Sequence, residues 1–526
     1  MKKLLPVFLI LLLTFSLFAG GKEEEAKKSD PVEFVLYNGA EPESLDPAVI
    51  SGVPEHRIYL SLFEGLVTYD PETANPVPGL AESWEISDDG LTYTFKLRKT
   101  TWSDGTPITA QNVVDSWMRI LNPDTASQYA WMTAMIVKGG EEYNGGKAGP
   151  EAVKIKAVND NTFQIGLVGP APYALGMLAH YAFSVQPIHA IKEHGEKWTH
   201  VENIVSNGPF KLESWQPQEK VTVVPNEKYW DRENVKLDRV VYLPIEDDNT
   251  AYTMFKNNEL DWCSRVPLEM LDEAKQSGAY QVGSVMISYY YVFNTRRKPF
   301  DDARVRKAFA ISIDRKEIVE KITRAGELPA FGITPKMAGY PPIKGNAENV
   351  EEAKKLLAEA GYADGKGIDK ITILYNTSEA HKKIAEYVQQ KWSENLGVKV
   401  ELENQEWKTY LKTRQEGQFD VSRAGWAGDY QDPNTFLELF VSTSAINGGK
   451  YNNPEFDELI KKAARMPGGK ERMATLKKAE ELLITQDQGI MPIYYYALPQ
   501  MIDTDKWGGW YWNTLDIHPL KNIFMK

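Results

Sequence analysis

Four residues in one short run, Arg423, Gly425, Trp426 and Asp429, bring together a fixed cation, a point of close backbone approach, a large aromatic wall and an anion. Such a set suits a zwitterion, whose opposite ends want opposite charges. The same residues also fit an ordinary surface ion pair beside a core tryptophan, and spacing alone leaves both readings open. The elements that must position them are legible. Trp407, Tyr410, Leu411 and Arg414 recur at i, i+3, i+4 and i+7, one face of a helix that Gly417 is suited to end. Phe419 and Val421 then alternate with Asp420 and Ser422, which predicts a strand running into Gly425.

This segment resembles the ligand-binding segment of the extracytoplasmic oligopeptide-binding proteins, the OppA-like peptide-binding subunits of ATP-driven importers in solute-binding protein family 5. EPESLDPAVISGVPEHRIYLSLFEGL, WSDGTPITAQNVVDSWMRILNPDTASQYA, NGPFKLESW, LYNTSEAHKK and MPIYYYA resemble the same family, and they are spread from Glu41 to Ala497. The resemblance implies an α/β, two-lobed periplasmic-binding-protein-like (type II) fold with an additional third domain. It implies a binding protein and not an enzyme, with no cofactor and no metal. Its implied partners are short peptides and an ABC-type membrane permease with its ATPase subunits, and the protein itself is expected to be a monomer.

Residue by residue, the resemblance implies that Asp429 takes the peptide ammonium. The backbone of Gly425, Trp426 and Ala427 on one side, and of Ser51, Gly52 and Val53 on the other, would pair with the peptide as an added strand. Arg423, His381 and Arg414 would meet the carboxylate. Trp407, Trp426 and Tyr129 would wall the side-chain pockets. Tyr289 and Tyr291 are assigned to the cleft with Tyr495; alternate tyrosines on a strand point to opposite faces, so no more than two of the 289–291 run can share one cleft. Two positions depart from the family pattern. Thr323, with Arg324 beside it, stands where a carboxylate-receiving lysine is implied, and Ile287 and Ala427 stand where some members carry a disulfide.

Length and composition frame this reading. At 526 residues the chain exceeds the ~250–300 at which one core stops growing. With 42% hydrophobic and 25% charged residues it has the composition of a soluble globular protein. The net charge of −13 argues against a nucleic-acid partner. Cys263 is the sole cysteine, so an intrachain disulfide is impossible, and it is expected to be a small buried hydrophobe. His180, His189, His194 and His200 form only a loose group without metal-ligand spacing. GGEEYNGGKA is one residue off a phosphate loop and lacks its hydroxyl, so it is rejected as one.

Lys2 and Lys3, an apolar run to Phe18 and Ala19-Gly20-Gly21 read as a cleaved signal peptide over 1–20, with a disordered charged leader over 21–31. Gly21 holds the place of a lipoprotein cysteine, so lipidation is not expected, and the mature chain is placed in the periplasm or another extracytoplasmic compartment. The boundaries expected are 32–64, 187–286 and 500–526 for lobe I, 65–186 for the extra domain and 287–499 for lobe II. Thr109 and Ser378 are expected to cap helices, and Val53, ahead of Pro54, to be held extended. Two rivals stand beside the peptide reading. The same fold can carry another solute, such as a murein peptide, an oligosaccharide or a metal complex. A secreted hydrolase would need a nucleophile elbow, an HExxH or a paired-carboxylate signature, and the sequence supplies none.

Overall fold

The computed structural model describes residues 31–337 and 339–526; the expected signal peptide and nearly all of the charged leader lie outside them. A mixed sheet of 11 strands carries the fold. Its spatial order is Val400–Gln405, Ile371–Asn376, Val421–Ala427, Tyr280–Phe293, Ile490–Ile502, Trp262–Cys263, Glu33–Tyr37, Arg239–Leu243, Lys220–Pro225 and Phe210–Gln216, with Leu328–Pro329 pairing off Ile490–Ile502. The 33–37 strand is parallel to 239–243, and 371–376 is parallel to both 400–405 and 421–427. These β-branched and aromatic runs have helices on their faces, so they bury on both sides.

The two longest strands, 280–293 and 490–502, join the halves of this sheet. They pair in two stretches, Tyr280–Ser284 with Ala497–Met501 and Ser288–Val292 with Ile490–Tyr495, and the register shifts between them. The shift bends both strands where they leave one half for the other. One half packs Tyr289, Tyr291, Phe293, Phe309, Ile373 and Trp392 into a core of its own. A separate antiparallel sheet, in the order Ala81–Ile86, Thr92–Leu97, Thr162–Gly166 and Ile155–Asn159, is covered by the Ala110–Leu121 helix. That helix buries Val113, Trp117 and Leu121, and Trp117 meets Phe163 edge-on at 5.0 Å. Thr109 does open it, with its amide donating to Asn112 Oδ1 at 2.8 Å.

Some local expectations need correction. Ser378 occupies the N-cap position of the Glu379–Leu396 helix, but its side chain makes no capping hydrogen bond. The Ala303–Ile311 helix ends and a new one starts at Arg315, because Asp314 is extended and its side chain accepts the Glu317 amide at 2.9 Å. Val53 is already the first residue of the Val53–Leu62 helix; the extended residue is Gly52, at φ −115°, ψ 163°. At the C-terminal end, Trp507 packs edge-on against Phe34 at 4.8 Å. Among the described residues no helix is long and apolar enough to cross a membrane.

Candidate functional site

Between the two halves of the large sheet lies a chamber of about 340 Å³, within the size range of small-molecule sites. The Val421–Ala427 strand forms one wall. On one edge it pairs with 280–293 along its whole length, Val421↔Phe293 to Ala427↔Ile287. On its other edge, 371–376 pairs only as far as Ser422. From Arg423 onward no strand among the described residues lies beside that outer edge. The Arg423 carbonyl points there, since it accepts from the Tyr410 hydroxyl and from Ser422 Oγ at 3.0 Å. Strand alternation then turns the N–H and C=O groups of Gly425 and Ala427 to the same open edge, facing the chamber.

The Trp407–Glu416 helix covers this strand. Glu406 caps it by accepting the Lys408 and Thr409 amides, and Gly417 closes it at φ 68°, a left-handed turn that favours glycine. Trp407 stacks on Tyr410 at 5.8 Å and reaches the opposite wall. There Ser51, Gly52 and Val53 line the chamber, and a Cβ on Gly52 would lie 3.2 Å from Trp407 Cζ2. The two walls are therefore in contact. Ile287 and Ala427 face each other across the strand pair, an apolar contact at the place of the implied disulfide.

At one end of the open edge, Asp429 is nearly buried, its side chain 10% exposed. Its amide donates to Thr435 Oγ1 at 3.0 Å. His180 Nδ1 accepts the Ala182 amide at 3.2 Å, which leaves the ring proton on Nε2, 3.3 Å from Asp429 Oδ1. That contact is close but poorly aligned, and both His180 Nε2 and Asp429 Oδ2 lack a hydrogen-bond partner among the described residues. Tyr69, Tyr129 and Tyr181 surround the acid; burial and then the Asp429 charge hold their phenols protonated, well above the usual range. Among the described residues this acid has one oxygen without a partner, phenols around it and no Lys or Arg paired with it.

Behind Asp429 the chain is held by a second layer of contacts. Tyr430 donates to Glu438 at 2.6 Å, and Arg472 grips Asp432 with bonds of 2.7 and 2.9 Å. Burial pushes the Glu438 carboxyl well above its ordinary range.

At the other end, Arg423 donates to Asn376 Oδ1 at 3.2 Å and to the Tyr496 hydroxyl at 3.0 Å, and lies 4.9 Å over the Tyr289 ring. Its Nε has no hydrogen-bond partner among the described residues. A Cβ on Gly425 would fall 3.0 Å from Arg423 Nη2, so glycine there lets the guanidinium lie along the strand. His381 stands in the first turn of the Glu379–Leu396 helix with both ring nitrogens buried and unpartnered. Burial, then the charges of Arg423 and Arg265, hold its pKa well below the usual value, so the ring is neutral and can donate one N–H. Arg414 lines the chamber with its guanidinium 5.5 Å over the Tyr410 ring and its Nε unpartnered.

The structure thus gathers Asp429, Arg423, His381, Arg414, Gly425, Trp426, Ala427, Trp407, Ser51, Gly52, Val53 and Tyr129 around one chamber. Tyr289, Tyr291 and Tyr495 are corrections. Tyr289 and Tyr291 sit opposite Gly425 and Arg423 in the strand pair and turn into the core, where Tyr289 stacks on Tyr494 at 4.7 Å beneath Arg423. Tyr290 lines the chamber instead. Tyr495 turns away and donates to the Gly332 carbonyl at 3.0 Å, while Tyr494 and Tyr496 face the ligand space. Alternation is regular along 287–293, so Tyr289 and Tyr291 share one face and Tyr290 takes the other; which face fronts the chamber is set by distant elements packed on each side, and no local pattern reveals it. Sequence reasoning missed Arg265, Asn376, Tyr181 and Tyr496 as lining residues. It noted His180 only in a loose group. The group does not converge, since His189 goes to Asp104 at 2.9 Å and His200 lies near Glu202.

Residues 75–448 match the family described as bacterial extracellular solute-binding proteins, family 5 middle. The chain is 39% identical over 510 residues to the periplasmic oligopeptide-binding protein OppA of Salmonella typhimurium, covering 95% of this chain and 92% of that one. Haemophilus influenzae OppA in complex with the peptide RPPGFSPFR superposes with a TM-score of 0.90 at 35% identity, covering 94% of this chain and 99% of that one. The murein tripeptide binding protein MppA of Escherichia coli gives 0.90 at 36% identity, covering 94% and 99%. The unliganded open form of MppA gives only 0.64 at the same identity, covering 94% and 98%. Identity is equal in the two MppA comparisons, so the lower score reports shape, and the meeting of Gly52 with Trp407 is the mark of a closed molecule. With its two-lobed α/β fold and additional domain, the chain belongs to the family 5 bacterial extracellular solute-binding proteins.

Proposed function

We propose that this protein is the extracytoplasmic subunit of an ABC importer, capturing short peptides in a closing cleft largely without regard to side chains and delivering them to the membrane permease. The observation that carries this reading is the pairing of an acid with a free oxygen, Asp429, and a fixed cation, Arg423, at the two ends of an unpartnered strand edge. Peptides share only a charged amino end, a regular backbone and a charged carboxyl end. These are the three features such an edge reads.

In this reading Asp429 Oδ2 accepts from the ligand ammonium, with His180 Nε2 beside Oδ1 at 3.3 Å. The groups of Gly425 and Ala427 pair with the ligand backbone, and Ser51 to Val53 face it from the other lobe. Arg423, His381 and Arg414 meet the carboxylate, the histidine as a neutral donor. Trp407, Trp426 and Tyr129 wall the flanking pockets. Each charge-assisted bond shielded from water contributes ~1.5–3 kcal/mol. A ligand touching both walls favours the closed form by its difference in affinity for the two states.

Lobe I is assigned to 32–64, 187–286 and 500–526, the extra domain to 65–186 and lobe II to 287–499. The small antiparallel sheet and the register shift in the two long strands support these bounds. The protein acts as a monomer, without catalysis or cofactor, in the periplasm or another extracytoplasmic space, and works with a permease and its ATPase subunits.

Calorimetry with trialanine and N-acetyl-trialanine tests the site. Wild type should bind the free amine at least tenfold more tightly, and Asp429→Ala should remove that preference while melting near the wild-type temperature. Equal affinity of wild type for both forms sinks the assignment.

A further inference from the structure

Four arginines line the chamber: Arg57, Arg265, Arg414 and Arg423. Arg57 is committed to the scaffold, donating to the Tyr37 carbonyl at 3.2 Å and to Ser264 Oγ at 3.0 Å, and lying 4.9 Å over Trp262. Arg414 is stacked on Tyr410. Arg265 differs from all of them. It follows the Trp262–Cys263 strand, and its backbone is fixed where its carbonyl accepts from the Cys263 thiol at 3.0 Å. Its side chain is well exposed, yet the residue lines an internal chamber and is enclosed by protein. The exposed surface is therefore chamber surface. Among the described residues its guanidinium has neither a hydrogen-bond acceptor nor a carboxylate within 4 Å.

Charge accounting around Arg265 points the same way. Tyr37, Asp248, Tyr496 and Arg423 are the groups whose charges act on it, and it in turn acts on His381. Asp248 is already engaged, accepting from the Tyr37 hydroxyl at 2.8 Å. Of the other acids nearby, Glu379 is paired with Lys383 at 2.9 Å, and Glu327 accepts the Ala325 amide at 2.9 Å. Thr323 lines the chamber and brings no charge. Two guanidiniums thus act on one stretch of the chamber beside a histidine that is neutral. Among the described residues neither Arg265 nor Arg423 has a carboxylate within 4 Å, so both are open to an anion between them.

We infer that Arg265 is a second receiver of the ligand carboxylate, supplied from the wall that carries Tyr37 and Asp248, opposite the strand that supplies Arg423. The carboxylate then bridges the two walls. It is a positive determinant of closure as well as of affinity, because only the closed molecule brings both cations to it. This inference rests on the peptide reading above and adds a residue that neither the family resemblance nor the sequence pattern marks.

The test is calorimetry of wild type, Arg265→Gln and Arg265→Lys with tri-, tetra- and penta-alanine, each as free acid, C-terminal amide and N-acetyl form. Wild type should favour at least one free acid over its amide by about tenfold to a hundredfold. Arg265→Gln should weaken that acid by about tenfold or more while leaving the amide within about twofold, and Arg265→Lys should recover part of the loss. The penalty for N-acetylation should persist in Arg265→Gln, which shows that the Asp429 end is intact. If Arg265→Gln weakens acid and amide equally, or neither, the inference is overturned and Arg265 is a wall residue. If wild type binds none of the peptides, the peptide reading itself falls, and the two failures are told apart by the wild-type data alone.

Discussion

At the scale of single residues, buried ionisable groups in the site are held neutral or left half-satisfied. Among the described residues Asp429 Oδ2 and Arg423 Nε lack partners and His381 is uncharged, and in the proposed reading the ligand completes the network. Glu55 shows the same economy outside the ligand contacts. It accepts the Glu43 amide at 2.7 Å, its other oxygen is unpartnered beneath Gly52, and burial raises its pKa to about 7. The unfolded carboxyl titrates near its ordinary ~4.3. Between those values the folded protein holds a proton that the unfolded chain has lost, so this group's contribution to stability falls as pH rises through the window. Glu55→Gln should therefore melt with wild type at pH 4 and above it at pH 8, by an amount on the order of 1–3 kcal/mol. His56, with its pKa lowered to about 3 by burial, acts in the opposite sense: its contribution is present above pH ~6.5 and is lost as pH falls. It is common to both proteins and cancels in their difference. A pH-independent difference in melting temperature would reject the role given to Glu55.

At the scale of elements, the helix–strand unit from Trp407 to Ala427 was legible in the sequence, because its apolar period, its glycine stop and its alternation agree with one another. Twelve of the fifteen ligand-facing residues expected do line the chamber; the three that do not are all tyrosines on the long paired strands. Their error has one physical cause. Alternation tells which tyrosines share a face, but which of the two faces fronts the chamber is decided by segments far away in sequence that pack on either side. Arg265, Asn376 and His180 were illegible for a related reason: their neighbours arrive from distant segments. The loop after Asp429 depends on such a long-range tie. Arg472 on the Lys470–Glu481 helix is wholly buried, bonded to Asp432 and to the Ala463 carbonyl at 3.1 Å, and lies 4.6 Å from the Tyr173 ring. Arg472→Met strands the Asp432 carboxylate and should cost about 3–5 kcal/mol, read as a lower urea midpoint. A change under ~1 kcal/mol would show that the pair is replaceable by packing.

At the scale of the whole molecule, closure is written in the place where the walls touch. Gly52 is there because a side chain would run into Glu55 and Trp407. Gly52→Val should leave the ligand-free protein folded and open, with a far-ultraviolet circular dichroism spectrum matching wild type. Small-angle scattering should then show wild type contracting when trialanine is added and the variant keeping its larger radius. Contraction in both would mean that this contact does not gate closure. The bend in the paired strands 280–293 and 490–502 is the natural axis for that movement, since it lies where both strands pass from one half of the sheet to the other.

The bare edge beyond Ser422 has a cost when no guest is present. An opened molecule offers water a few unpaired amide and carbonyl groups in extended geometry, a template that any loose segment of a neighbouring chain can dock on. Arg423 and Asp429 at its two ends keep that template short and charged, which limits runaway stacking. The open, empty molecule is thus the form in which this edge is bare, and a guest that pairs with the edge also covers it.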